Sequence, residues 1–166
     1  MDNQTCSFWV EFTKLALPSF LVIVGWIAVN KLTVKREVDK SRRDMIAESA
    51  DELCAAVDKL FEFANDYHSS ERDNKLEIKI KITLNDLSQR VSSLVQITTD
   101  IKTVTNCLMF VVKLRQAVSG KHFEDEHLGP ISNSNIHEEI ADASLAMKRC
   151  LFELKYSQFS LHTSAS

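Results

Sequence analysis

The chain has 166 residues, 45% of them hydrophobic and 26% charged, with a formal net charge of −3. That length leaves room for one core of ordinary size, and so balanced a charge excludes a general affinity for nucleic acid. Three glycines and two prolines supply little material for tight turns, so the composition calls for few, long helices.

The first element is apolar. Leu15 to Val29 is fifteen residues without a charge, and the stretch extends to 21 residues from Phe12 to Leu32, with Lys14 and Lys31 near its ends. A helix of that length measures about 31 Å, against a hydrocarbon core of about 30 Å. The lysine stems can reach the headgroups, and Phe8, Trp9, Phe12 and Trp26 place rings near the interfaces. The expectation is one transmembrane helix over 12–34, preceded by a short extracytoplasmic segment, 1–11. A buried helix of a soluble domain would need more apolar surface around it than the sequence holds. A cleaved signal peptide would need a basic start and small residues before the cut. Here Asp2 and Glu11 oppose Lys14, and the run ends Ile27-Ala28-Val29-Asn30-Lys31. No ionisable residue sits in its middle, so nothing suggests a transporter.

A basic cluster follows at the expected membrane interface: Lys31, Lys35, Arg36, Lys40, Arg42 and Arg43. The first fourteen residues hold Lys14 alone, so the C-terminal side is expected to face the cytoplasm from the cell (inner) membrane, with the N-terminus outside. Each of these cations contributes about 1 kcal/mol against an anionic leaflet. Residues 35–45 are read as a juxtamembrane stalk.

Beyond the stalk Ile46, Ala50, Leu53, Val57, Leu60, Ala64 and Tyr67 recur at spacings of 4, 3, 4, 3, 4 and 3. This seam predicts an amphipathic helix that packs within the chain or against a second copy. His68 to Asn74 is a polar loop rich in capping residues. Leu76, Ile78, Ile80 and Ile82 then alternate as in a strand. Ile80, Leu84, Leu87, Val91, Leu94, Thr98 and Ile101 nevertheless continue a helical stripe. A lone strand would find no partner here, so helix is the reading. A weak break at Thr98–Thr103 precedes a stripe of Val104, Leu108, Val111, Val112, Leu114 and Val118, closed by Ser119-Gly120. Residues 121–134 read as a loop. A last helix opens near Asn135 and carries Ile136, Ile140, Ala143, Met147, Leu151 and Leu154. The fold class is therefore all-α: a transmembrane helix, then an antiparallel bundle over 46–158 with coiled-coil-like seams, and a flexible tail, 159–166.

The chemistry-bearing residues form no catalytic signature. His137-Glu138-Glu139-Ile140-Ala141 opens like a zinc helix but has Ala where the second His belongs. His122 to His127 holds two His and three carboxylates, which a solvated loop explains without a metal. Gly25, Gly120 and Gly129 are isolated, so no phosphate-binding loop can be written. Cys54, Cys107 and Cys150 are expected to be free, buried thiols in a reducing compartment, with Cys6 on the oxidising side. No enzyme activity, cofactor or metal is expected. The function expected is a single-pass anchored interaction or scaffold module, with the bilayer, a protein partner and a second copy as its contacts. The alternatives are a self-associating, membrane-perturbing effector of defence or toxin type, and a membrane-tethered metal-binding domain.

Overall fold

Apolar residues spaced three and four apart have become helices. The computed structural model describes the backbone of residues 3–120, 123 and 134–160, and the side chains of 20–120, 123 and 135–157. Among these residues four helices occur and no strand: α1 (Asn3–Ser69), α2 (Asn74–Ile97), α3 (Ile101–Val118) and α4 (Ser134–Ser160). The chain divides into two units, residues 1–41 and 42–166.

In the first unit the described apolar side chains of α1, from Phe20 onward, are exposed on every face. Phe20, Leu21, Val22, Ile23, Val24, Trp26, Ile27 and Val29 are 44 to 71% exposed. The expected transmembrane helix is not what the described residues provide, since none of their helices is long and apolar enough to cross a membrane. The reason is length. From Phe20 the run reaches only to Val29 before Asn30 and Lys31, and ten residues of helix rise about 15 Å, half a hydrocarbon core. The earlier part of the expected span, 12–19, has its side chains outside the described residues.

The second unit is a helical bundle. All seven seam residues of α1, Ile46 through Tyr67, are buried in it. From α2 come Ile80, Leu84, Leu87, Val91 and Leu94, and from α3 Val104, Cys107, Val111, Leu114 and Val118. α4 adds Ile136, Ile140, Met147, Cys150, Leu151 and Leu154. Ion pairs fix the directions. Glu52 meets Arg90 at 3.1 Å, Asp58 meets Lys148 at 2.6 Å and Asp51 meets Lys155 at 2.7 Å. Lys79 of α2 also lies over the Phe63 ring of α1, so numbers fall on α2 and on α4 as they rise on α1, and α1 runs antiparallel to both. α3 packs against α2 and α4, which makes an up-down-up-down arrangement.

The ambiguous stretch is helical. α2 starts at Asn74, with the Asp73 carboxylate accepting from Lys75 N at 2.8 Å. The alternation of isoleucines is real but not a strand: a helix turns Ile80 inward and leaves Ile78 and Ile82 exposed. The break after α2 is a sharp one. Thr98 caps α2, its N–H donating to Leu94 O at 2.9 Å, and Asp100 caps α3. The register restarts there, so Ile101 is exposed; Val112, expected in the α3 stripe, is exposed as well, while Cys107 is buried as expected. In α4 Ser144 and Cys150 also face inward, while Ala143 is only half-buried. The chain closing α3 turns at Ser119, and Gly120 has ordinary clearance, its nearest neighbour for an added Cβ being Ala117 O at 3.6 Å.

The cysteine expectation needs correcting. Cys107 and Cys150 form a disulfide between α3 and α4, their Cα atoms 5.7 Å apart, while Cys54 is free. The two lie 43 residues apart in sequence, a spacing that says nothing until antiparallel packing brings them together at bridging distance.

Candidate interaction surfaces

An α-helix turns 100° per residue, and that distributes the basic cluster around α1. Lys31, Lys35 and Arg42 share one side, while Arg36, Lys40 and Arg43 share another. Five are exposed and Arg43 is half-buried. Glu37, Asp39 and Asp44 are interspersed, so the helix carries both signs over 31–44. The second predicted surface, the seam from Ile46 to Tyr67, lies in the core of the bundle. The two sets occupy successive parts of one helix.

Polar links on the bundle are ties between helices. His137 Nδ1 lies 2.9 Å from Asn65 Oδ1, joining α4 to α1 at the residue that opens the incomplete zinc pattern. Among the described residues no three His, Cys, Asp or Glu side chains are grouped to hold a metal ion. The loop cluster of His122, Glu124, Asp125, Glu126 and His127 lies outside the described residues. Lys155 has its pKa raised, chiefly by its hydrogen bond to Asp51. Burial, and then the nearby Asp51 charge, push the Cys54 thiol above its ordinary value. That is the opposite of a reactive, nucleophilic cysteine.

Sequence reasoning missed three buried polar residues among those described, His68, Glu77 and Ser144. His68 reads as the start of a loop, yet α1 extends to Ser69 and buries it. Its Nε2 donates to Val118 O at 3.1 Å, tying the end of α1 to the end of α3. Tyr67 sets its ring edge-on to the imidazole at 5.2 Å and meets Phe123 at 5.2 Å. The available signal was Tyr67 itself, an apolar ring one residue earlier that already demanded burial. Glu77 is also buried, with both carboxylate oxygens 3.4 Å from Arg72 Nη2.

Open grooves lie between α1 and α2, where Ala55, Ala56, Ile82 and Thr83 form the floor, and beside Phe123, between Lys81 and Arg115. The first is also lined by Glu52, Lys59, Asp86 and Arg90, and there Arg90 pairs with both Glu52 and Asp86. No protein-family model, curated protein or solved structure matches the chain.

Proposed function

We propose that the chain is a single-pass membrane protein that presents its helical bundle to a protein partner. The observation that carries this reading is the apolar run Phe20–Val29, which is exposed on all sides of a helix while the bundle closes its own core. Soluble proteins rarely leave so large an apolar surface uncovered. The span needs residues 12–19 as well, because Phe20–Val29 alone is half the required length. Six Lys and Arg residues over 31–43 stand against Lys14 before the run, and this charge bias favours a cytoplasmic bundle. The Cys107–Cys150 bridge pulls the other way, since disulfides persist in oxidising compartments. The charge bias is the stronger determinant, because it acts through six residues during insertion. In the cytoplasm the bridge would then form only under oxidation.

Alkaline carbonate extraction tests the anchor. The full chain should stay with the membrane pellet, and release into the supernatant would refute the anchor. A reporter fused after Ser166 tests the orientation. Activity of a cytoplasm-dependent reporter is expected, and activity of a reporter that works only outside the cytoplasm would reverse it.

A further inference from the structure

The bundle uses the α1 seam beginning at Ile46, but a different stripe of the same helix is left exposed among the described residues. Ile27, Lys31, Val34, Val38, Ser41 and Met45 recur at spacings of 4, 3, 4, 3 and 4. Val34, Val38 and Met45 are 51, 55 and 47% exposed. Read as a heptad, Lys31, Val38 and Met45 take the a positions, and Ile27, Val34 and Ser41 take d. A β-branched residue at a favours two strands, and one lysine at a fixes register at some expense in stability.

The flanking charges are sorted by sign. One flank of the stripe, the g column, holds Glu37 and Asp44, and the other, the e column, holds Lys35 and Arg42. In a parallel pair of coiled helices, g of one copy faces the next e of the other. Glu37 then meets Arg42 of a second copy, twice by symmetry. In an antiparallel pair g faces g and e faces e, so acid would meet acid and base would meet base. We infer that this stripe of α1 pairs in parallel with the same stripe of a second copy of the chain.

Two heptads form a weak coil in free solution. Two copies held at one surface meet at a much higher effective concentration, and both then necessarily point the same way. For that concentration the inference rests on the membrane reading above, although the charge sorting stands without it.

Cysteine cross-linking in membranes holding the full chain tests the pairing, in a Cys6→Ser background. Val34→Cys and Val38→Cys should cross-link at least fivefold faster under mild oxidation than Arg36→Cys and Lys40→Cys, which lie on the opposite side of the helix. The parent without an added cysteine reads any background from Cys54. Equal rates at all four positions, or no cross-link at any, would overturn the pairing. Glu37→Arg should slow the Val38→Cys reaction severalfold, and Glu37→Arg with Arg42→Glu should restore it. Residues five apart are not neighbours on one helix, so this rescue reports contact between copies. A faster reaction in Glu37→Arg alone would mean an antiparallel pair and would defeat the proposal. Carbonate extraction of the same membranes separates the two failures. Extracted chain that still cross-links at 34 and 38 loses the anchor and keeps the coil, whereas pelleted chain without selectivity loses the coil alone.

Discussion

At the scale of single residues, burial and capping decide what a substitution does. Leu60 is fully buried among neighbours from several helices. Leu60→Ala should therefore cost about 2–5 kcal/mol, measured by denaturant unfolding of the bundle. Asp100 works differently. Its two carboxylate oxygens accept from Thr103 N at 3.1 Å and from Thr103 Oγ1 at 2.6 Å. The side-chain bond from Thr103 is the main reason its pKa lies below the ordinary 3.8. A depressed carboxylate pKa stabilises the fold above the unfolded value and loses that contribution as pH falls through the folded one. Asp100→Ala should cost about 1 kcal/mol near neutral pH. The gap from wild type should narrow as pH drops below about 4. Unfolding curves at pH 7 and pH 3 check both the size and the sign, and a gap that widens in acid would contradict the account. A carboxylate at the start of α3 is legible in the sequence, because Thr98 to Thr103 crowds short polar and β-branched residues. Which of them becomes the cap is not, since Thr98, Asp100 and Thr103 can each accept a backbone N–H.

At the scale of elements, the Cys107–Cys150 bridge closes a loop across 43 positions between α3 and α4. Chain-entropy reasoning gives such a closure about 4 kcal/mol when oxidised. Bundle prepared under oxidising conditions should therefore lose several degrees of melting temperature on reduction. The Cys107→Ser variant should melt at the same temperature with and without reductant. Counting alkylated thiols by mass before reduction checks the state directly, and Cys54 should react slowly because burial keeps its thiol protonated. The helical stripes themselves were legible because their spacing repeats without a slip: every seam residue from Ile46 to Tyr67 is in the core. Val112 was misread because it adjoins Val111, and neighbours 100° apart on a helix do not share its inward face; Ile101 was misread for another reason. A short interruption at Thr98–Asp100 rotates everything after it, and periodicity carried across the break points at the wrong face.

At the scale of the whole molecule, a fragment starting at Glu37 should be soluble and strongly helical by circular dichroism. Its melting temperature should not vary with concentration, since the Ile46–Tyr67 seam is already covered by the chain's own helices. A concentration-dependent melt would return that seam to an interface. By itself the sequence determined the helical class, the number of helices after the apolar run and most of the residues that face inward. Those follow from the 3.6-residue repeat and from local capping chemistry, which act over one or two turns. Only the tertiary structure decided that the α1 seam is spent inside the bundle, that Cys107 reaches Cys150, and that His68 is buried on Val118. Each joins residues tens of positions apart. Such contacts depend on which helix packs against which and in what direction, and no local repeat in the chain encodes that choice.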